Sequence, residues 1–282
     1  MNLAVDNISV GYGKIPVISN ISFTIGSGKI CGLMGRNGSG KTTLLRCING
    51  ILKPVCGEIS IMGRKIKNLN RDSIARMISV VPQISSSPFA FSCIDMVLMA
   101  GVSRMRSWSN PSKKEKINAL KVLKEAGIAH LADKSFNSIS GGERQLVVLA
   151  RGLFQDTPVM LLDEPNSHLD FTNQHMIMAL IQKLVKKRGL TVLITLHDPN
   201  LVHYYCDEVI MLKDGHIAAL GETCPTMTDD VLSEVLGDNI QCDITKRGVF
   251  VVTPKKVNPG SSPQYKKIDI RATTRKYMGA GI

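Results

Sequence analysis

The first part of the chain has apolar patterns that predict strands. Residues 21–25 alternate apolar and polar side chains, which is the pattern of a strand with one buried face. Residues 30–34 are apolar throughout, as expected of a strand buried on both faces. A glycine-rich loop over residues 35–40 comes next. A helical pattern over residues 41–49 follows, with Gly50 placed to end that helix.

The second half predicts helices that alternate with buried strands. Two serines are each followed three residues later by a glutamate, the spacing of a capping box, so helices are expected to begin after Ser112 and after Ser140. Two short apolar segments, residues 159–162 and 192–196, predict buried strands, and a helical pattern over residues 173–187 separates them. This alternation predicts an α/β fold around a mainly parallel sheet.

The end of the chain follows neither period. Beyond about residue 253 the prolines, glycine and basic residues give no clear pattern, so a loosely attached and partly disordered tail is expected. We predict one domain over residues 1–242 and a basic extension over residues 243–282. The extension holds nine basic and two acidic residues, which is +7 of the formal net charge of +12. It is interpreted either as a solvated tail or as a segment that contacts anionic lipid headgroups.

Composition limits the compartment and the class of protein. The chain is 44% hydrophobic and 21% charged, as in ordinary soluble globular proteins. Its seven cysteines are odd in number and form no CxxC pair, which favours a reducing compartment over a disulfide framework or zinc site. The N-terminus lacks signal-peptide features, and no apolar run approaches the roughly 18 residues that span a bilayer. A role at a membrane is therefore expected to depend on docking to another chain.

Residues 35–42 match the phosphate-binding P-loop pattern in full. The glycines let backbone N–H groups converge on phosphate oxygens, and the following helix directs the positive end of its dipole at them. Lys41 is expected to reach the β- and γ-phosphates, and Thr42 to offer its hydroxyl to Mg²⁺. A glycine turn without a ligand is the alternative, which the preceding buried strand and the following helix disfavour. The loop predicts nucleoside triphosphate binding, but not the class of enzyme.

Two acids end the predicted strand at residues 159–162. In parallel sheets ligands bind at the carboxyl ends of the strands, which is where Asp163 and Glu164 stand. Asp163 can reach Mg²⁺, directly or through water, and Glu164 is then placed to polarise the attacking water. A solvated acidic turn before Pro165 is the alternative, which the P-loop disfavours.

The segment after residue 138 decides the class. Ile139-Ser140-Gly141-Gly142-Glu143 resembles the signature motif of ABC ATPases, whose usual form is LSGGQ. Alone it is only a capping box, but a helix N-terminus with free N–H groups also attracts a phosphate. The resemblance implies that Ser140, Gly141 and Gly142 contact the γ-phosphate of ATP held by a second copy, so that a homodimer sandwiches two ATP molecules.

The resemblance covers about residues 1–225 and also implies the fold. It is an α/β P-loop NTPase fold, with a RecA-like core of mixed sheet, an N-terminal antiparallel β subdomain and a helical signature subdomain at about residues 86–156.

Further residues match the motifs of the family in the expected order. Tyr12 resembles the aromatic residue that stacks on adenine, and Gln83 resembles the Q-loop glutamine, which senses Mg²⁺ and the transmembrane partner. Residues 167–170 resemble the D-loop, and His197 resembles the switch histidine that contacts the γ-phosphate. Any of these alone would indicate a structural role; their common order favours the functional interpretation.

The predicted site is thus complete as a set. Its catalytic residues are Glu164, His197, Gln83 and Lys41. Its cofactors are ATP and Mg²⁺, with the metal assigned to Thr42, Gln83 and Asp163. The residues assigned to ATP are Tyr12, Gly35, Arg36, Asn37, Gly38, Ser39, Gly40, Lys41, Thr42, Thr43, Ser140, Gly141 and Gly142.

Three positions depart from the usual family pattern. Glu143 replaces a common Gln, Leu146 stands where a basic residue is frequent, and Asn166 replaces the common Thr after Glu-Pro. None of these removes a catalytic group, so hydrolysis is still expected, while the rate and coupling of the subfamily stay open.

The segment at residues 91–101 and the pair Asn173-Gln174 are similar to importers of iron complexes, haem and cobalamin. An importer of molybdate, tungstate or another metal-associated solute is the first alternative, and a soluble ABC ATPase of iron–sulfur assembly is the second. The importer interpretation implies transmembrane permease subunits, an indirect extracytoplasmic solute-binding protein and a peripheral location on the cytoplasmic face of the membrane. No nucleic-acid partner is expected. Residues from Gln83 to about Gly101 should receive a permease helix, with Phe89 and Phe91 either as anchors or as core residues.

Overall fold

The computed structural model describes residues 2–12, 15–83, 89–104, 111–167, 169–237 and 240–255. The strands are β1 Leu3–Tyr12, β2 Ile15–Ile25, β3 Ile30–Gly35, β4 Cys56–Ile61, β5 Arg64–Lys65, β6 Ile78–Val81, β7 Val159–Leu162, β8 Thr191–Thr195, β9 Glu208–Lys213, β10 His216–Glu222, β11 Ile240–Ile244 and β12 Phe250–Pro254. The helices are α1 Lys41–Ile48, α2 Arg71–Ala75, α3 Cys93–Leu98, α4 Lys113–Glu125, α5 Gly141–Phe154, α6 Phe171–Arg188, α7 Pro199–Tyr205, α8 Thr223–Thr226 and α9 Asp229–Leu236. Within these described ranges, no helix combines the length and the apolar character needed to cross a membrane.

An antiparallel sheet forms the N-terminal layer. Its strand order in the described residues is β2-β1-β4-β5, and the central strand β1 pairs Leu3 with Ile25 on one side and with Ile61 on the other. Alternate side chains of β1, such as Leu3 and Val5, are buried because one face of this sheet packs on the rest of the protein. This confirms the predicted antiparallel β subdomain.

A larger, mixed sheet lies at the centre. Its order in the described residues is β10-β9-β3-β8-β7-β6. All neighbouring pairs from β9 to β6 are parallel, and β10 is antiparallel to β9. The parallel strands β3, β7 and β8 are buried at every residue. The predicted mixed α/β core is confirmed.

The packing on both faces of strand β3 explains why its sequence is apolar throughout. Ile30 and Met34 contribute to one hydrophobic cluster with helices α3 to α7 and α9, whereas Cys31 and Leu33 contribute to a second cluster with α1 and the N-terminal sheet. Because successive residues of a strand point to opposite faces, a strand between two clusters needs apolar side chains at every position.

The helical layer contains α3, α4 and α5. Ser112 accepts a hydrogen bond from the Glu115 N–H at 3.3 Å, and Ser140 accepts one from the Glu143 N–H at 3.3 Å. Each glutamate bonds back to the N–H of its serine, so both capping boxes are formed and both helices begin where the sequence predicts.

A hairpin of β11 and β12 follows α9. The two strands pair antiparallel from Ile240 with Pro254 to Ile244 with Phe250. Strand β11 therefore crosses the boundary predicted between residues 242 and 243. The division of the chain there, and the helical subdomain limits near residues 86 and 156, stay predictions. Most of the basic extension, from residue 256 onward, lies outside the described residues.

Candidate functional site

The loop between β3 and α1 has positive φ angles, which its glycines allow. Gly35, Gly38 and Gly40 have φ angles of 150°, 83° and 105°. A Cβ at Gly35 would lie 2.4 Å from the Leu212 carbonyl oxygen, and a Cβ at Gly40 would lie 2.4 Å from Cγ2 of Ile18. The chain therefore turns sharply onto the N-terminus of α1, and the first N–H groups of a helix lack intrahelical partners and can bind an anion.

Lys41 begins α1 and is almost fully buried. Its Nζ donates to the carbonyl oxygens of Gly35 at 2.7 Å and Arg36 at 3.1 Å, so the ammonium lies inside the loop. Burial lowers the pKa of Lys41, while the negative charges of Glu164 and Asp163 raise it. The loop, the lysine and the two acids thus share one electrostatic environment.

The side chains around Lys41 divide into exposed and buried sets. Arg36, Asn37 and Thr42 are exposed, whereas Ser39 and Thr43 are buried. Oγ of Ser39 is buried and has no hydrogen-bond partner in the described part of the chain. Such a buried hydroxyl costs free energy unless a ligand or water completes it, which suits a loop that encloses phosphate oxygens.

Two acids occupy the carboxyl end of β7. Thr195, at the end of the neighbouring strand β8, donates through Oγ1 to Asp163 Oδ1 at 2.9 Å and accepts from the Glu164 N–H at 2.7 Å. Glu164 has a φ of 48°, a left-handed conformation that is uncommon for a residue with a side chain. The half-buried Asp163 is therefore anchored in the sheet, not solvated as the alternative interpretation required.

Two residues from separate segments, Gln83 and His197, converge on the Glu164 carboxylate. His197 Nε2 lies 2.6 Å from Glu164 Oε1, and Gln83 Nε2 donates to Glu164 Oε2 at 3.4 Å. The same Gln83 nitrogen lies 3.3 Å from Ser167 Oγ. The structure thus brings together three of the four predicted catalytic side chains, and each oxygen of the carboxylate has its own partner.

Tyr12 lies at the end of β1 and is 47% exposed. Arg46 of α1 donates through Nη1 to the Tyr12 hydroxyl at 3.2 Å, and this hydrogen bond lowers the pKa of Tyr12. Because the hydroxyl is tied to α1, the ring stays next to the phosphate-binding loop, with a face available for stacking.

The start of α5 presents an open helix N-terminus. A Cβ at Gly141 would meet no atom within 4 Å, and one at Gly142 would lie 3.4 Å from the side chain of Asn173. The Ser140 N–H donates to Glu143 at 2.8 Å, and this hydrogen bond lowers the pKa of Glu143. Among the described residues, no hydrogen bond joins Ser140 to the loop of Lys41. The structure does not unite these two parts of the predicted site within one chain.

The segment between Glu164 and α6 is described except at residue 168, so His168 lies outside the described residues. Asp170 caps α6 by accepting from the Asn173 N–H at 2.8 Å. Asn166 is buried, and its carbonyl oxygen accepts from the Leu169 N–H at 3.4 Å. The segment is therefore fixed at both ends.

The profile of the family described as "ABC transporter" matches residues 18–167, which include the loop at Lys41, the start of α5 and the two acids after β7. The chain belongs to the ABC transporter family of ATP-binding proteins. The family predicted from the motifs is therefore confirmed. An ABC cassette is an ATP-hydrolysing transporter subunit.

Individual relatives agree with this assignment. The chain is 39% identical over 234 residues to a probable iron chelatin transport ATP-binding protein of Helicobacter pylori, which covers 83% of this chain and 92% of that protein. It is similar to a solved metal-chelate type ABC transporter in an inward-facing conformation, with a TM-score of 0.79, 30% identity, and coverage of 92% of this chain and 98% of that one. A bacterial ABC transporter cassette solved as a dimer has a TM-score of 0.69 and 29% identity, over 78% of this chain and 98% of that one.

Sequence reasoning missed two residues of this ABC cassette that shape its site, Thr195 and Arg46, and it named Ser167 only as part of the D-loop. Thr195 anchors both acids, Ser167 contacts Gln83, and Arg46 holds Tyr12. Thr195 carried a usable signal, because it is a polar residue that ends a buried apolar strand two positions before His197. Arg46 and the contact of Ser167 with Gln83 carried none, since both depend on how distant segments meet.

Proposed function

We propose that this cassette powers an importer by hydrolysing ATP, with Glu164 orienting and polarising the attacking water. The observation that supports this most directly is the Glu164 carboxylate held between His197 and Gln83. A carboxylate with both oxygens oriented is positioned for general-base work, and phosphoryl transfer depends chiefly on such positioning. His197 is assigned to the γ-phosphate. Gln83 is assigned to the side of the same site where the attacking water would lie.

The phosphates are assigned to the loop and to Lys41. Backbone N–H groups from Gly35 to Thr43 would surround them, and the Lys41 ammonium would exchange its carbonyl partners for the β- and γ-phosphates. The exposed ring of Tyr12 is assigned to adenine.

Mg²⁺ is assigned to Thr42, Gln83 and Asp163. These residues offer a hydroxyl, an amide oxygen and one carboxylate, a set of hard oxygen donors. Among the described residues no cluster of three or more His, Cys, Asp or Glu forms a metal site, which suits an ion held partly by nucleotide and water. When bound, the ion would neutralise phosphate charge, and Asp163 is preset for this role by its bond to Thr195.

Two copies of the chain are proposed to complete two sites. Ser140, Gly141 and Gly142 of one copy would bind the γ-phosphate held by the loop of the other. The open space at Gly141 supports this proposal, and so does the solved dimer of a related cassette. Among the described residues no hydrogen bond links this helix N-terminus to the loop of its own chain, which also supports the proposal.

A groove between the helical layer and the core is proposed to receive a cytoplasmic helix of the permease. Its volume is about 570 Å³, and Met99 and Ala100 of the predicted docking segment form one wall. The groove is also lined by residues at the end of α1 and in α2, by the exposed Ile51 and by Arg151 of α5. Apolar side chains at the mouth of a groove are what a docked helix would bury.

The two candidate anchors in this segment differ in burial. Phe91 is half-buried and packs against the main hydrophobic cluster, so it acts as a core residue. Phe89 is 64% exposed, with its ring centroid 5.7 Å from that of Phe91. Phe89 therefore stays the candidate anchor at the permease.

An iron complex, such as a siderophore or haem, or cobalamin is the proposed solute. The relative from Helicobacter pylori and the solved metal-chelate transporter support this class. A peripheral position on the cytoplasmic face and an extracytoplasmic solute-binding protein belong to the same proposal. A molybdate or tungstate importer remains the alternative, because the ATPase does not touch the cargo.

The hydrolytic role is tested by Glu164→Gln, with Glu222→Gln at an exposed position as the control. We expect unchanged ATP affinity and turnover lowered by about 10²–10⁴-fold, the range lost with a general base. Phosphate release and titration with a fluorescent ATP analogue measure the two quantities. Turnover like that of the unmodified protein in Glu164→Gln would remove this residue from the mechanism.

The solute is tested in cells that lack this subunit. Uptake of a labelled ferric siderophore, haem, cobalamin and molybdate is compared after complementation with the unmodified chain or with Glu164→Gln. The proposal predicts that only the unmodified chain restores uptake of an iron complex or cobalamin. Restored molybdate uptake would favour the alternative.

A further inference from the structure

Helix α7 directly follows the histidine that contacts Glu164. Its first residue is Pro199, two positions after His197. Asp198 accepts a hydrogen bond from the Asn200 N–H at 2.8 Å, which fixes the start of the helix. The connection between His197 and α7 is therefore too short to absorb a movement of the helix.

The side-chain amide of Asn200 binds the C-terminal hairpin. Its Oδ1 accepts from the Val252 N–H at 2.7 Å, and its Nδ2 donates to the Val252 carbonyl oxygen at 3.2 Å. One amide thus satisfies both main-chain groups of a residue in β12, as a neighbouring strand would. A paired contact of this kind fixes both distance and orientation, so α7 and β12 form one unit.

A second contact lies one turn further along α7. His203 stacks on Phe250 of β12, with 3.9 Å between ring centroids and 14° between ring planes. His203 and Asn200 are three residues apart and share one face of the helix. On the other strand of the hairpin, Asp229 of α9 accepts a hydrogen bond from the Cys242 N–H. The hairpin is held between two helices.

We propose that this hairpin, residues 240–254, braces His197 against Glu164 through α7, and that Asn200 and Phe250 are positioning residues for ATP hydrolysis. The proposal rests on the roles assigned above to Glu164 and His197. It gives a function to a segment that follows every recognised motif of the chain.

The geometry explains why α7 needs a brace. A helix of seven residues is too short to be stable alone, so its position depends on its packing. Leu201, Val202 and Tyr205 fix its buried face, and the hairpin fixes the opposite face. His197 Nε2 lies 2.6 Å from Glu164 Oε1, and a displacement of about 1 Å would break that hydrogen bond.

The brace is tested by steady-state ATP hydrolysis of the full chain carrying Asn200→Ala, Asn200→Asp or Phe250→Ala. Asn200→Asp keeps the acceptor for the Val252 N–H, but it places a carboxylate oxygen against the Val252 carbonyl oxygen, so it replaces the donated bond by repulsion. Asn118→Ala, at an exposed position of α4, is the matched control. Circular dichroism of each variant ensures that rates refer to folded protein.

We expect kcat to fall about 5- to 10-fold in Asn200→Ala and Phe250→Ala and at least as much in Asn200→Asp, with KM for ATP unchanged, because the position of His197 is lost and the nucleotide contacts are kept. Asn118→Ala should retain full kcat. The double variant Asn200→Ala, Phe250→Ala should lose no more kcat than either single variant, because both substitutions break the same brace.

Unchanged kcat in Asn200→Ala, or losses that multiply in the double variant, would overturn the brace. A rise in KM at constant kcat would also overturn it, since that indicates a role in binding. Glu164→Gln separates the two proposals. If it keeps its turnover, the proposed function fails; if it loses turnover while Asn200→Ala does not, only the brace fails.

Discussion

At the scale of single residues, Gly40 is required both by its backbone angle and by the space around it. Its φ is 105°, and a Cβ would lie 2.4 Å from Cγ2 of the fully buried Ile18. Gly38 has a φ of 83°, but a Cβ there would meet no atom within 4 Å. A side chain at Gly38 would therefore cause backbone strain alone, whereas one at Gly40 would cause both backbone strain and a steric conflict.

Substitution of these glycines tests the loop geometry. Gly38→Ala should lower the free energy of unfolding by about 1 kcal/mol through backbone strain alone. Gly40→Ala should lower it by about 2–4 kcal/mol, because overpacking against Ile18 adds to the strain. Denaturant unfolding without nucleotide measures both values. Equal losses would show that Ile18 yields without cost.

Lys41 is the residue whose charge the site needs most. Lys41→Ala should abolish ATP binding at concentrations that saturate the unmodified chain, because the loop loses its buried cation beside the phosphates. Lys121→Ala, at an exposed position of α4 outside the loop, is the control and should bind ATP. Nucleotide titration measures both. Retained affinity in Lys41→Ala would contradict its assigned role.

At the scale of elements, α4 and α5 begin with the same capping box but are assigned different tasks. Ser112 and Ser140 make equivalent hydrogen bonds to Glu115 and Glu143. Only Ser140 is proposed to meet a phosphate of a second copy. Ser112 is therefore a control for Ser140, because either substitution removes a helix cap but only the one at Ser140 would remove a contact with the second copy.

Ser112→Ala and Ser140→Ala should each cost about 1 kcal/mol of stability, or about 2–4 °C in Tm, through loss of the cap. In a Glu164→Gln background, only Ser140→Ala should also weaken ATP-dependent dimerisation. Thermal unfolding and light scattering measure the two effects. Equal dimerisation by both variants would exclude Ser140 from the interface.

Local pattern predicted α4 but not the face that it buries. Ile117, Leu120 and Leu123 recur at helical spacing, but only Leu123 is fully buried, together with Ala119, while Ile117 and Leu120 are 55% and 41% exposed. Apolar residues three apart indicate a helix, whereas the buried face depends on which neighbouring elements cover it. The motifs likewise named Gln83, Glu164 and His197 as members of the site, but their mutual contacts depend on how separate segments meet.

The hairpin of β11 and β12 was beyond local prediction for a similar reason. Its contacts to Asn200 and His203 join residues about 50 positions apart in the sequence, and no local sequence pattern at either residue predicts such a contact. By contrast, β3, β7 and β8 were predicted because burial on two faces leaves a continuous apolar run.

At the scale of the whole molecule, the proposed permease groove makes the chain part of a larger assembly. Ile51→Glu should abolish co-purification with the permease, because a charge would be buried against the docked helix. Ile117→Glu is the matched control, since Ile117 is similarly exposed but lies on α4 outside the groove. Co-purification retained by Ile51→Glu would relocate the docking surface.

ATP is proposed to be hydrolysed between two copies of the chain, each supplying half of the site. Light scattering of Glu164→Gln with and without ATP and Mg²⁺ tests it most directly, because this variant should bind ATP without consuming it. We expect a mass that rises from 30.8 kDa to twice that value when ATP and Mg²⁺ are added. A mass that stays at 30.8 kDa with saturating nucleotide would contradict it.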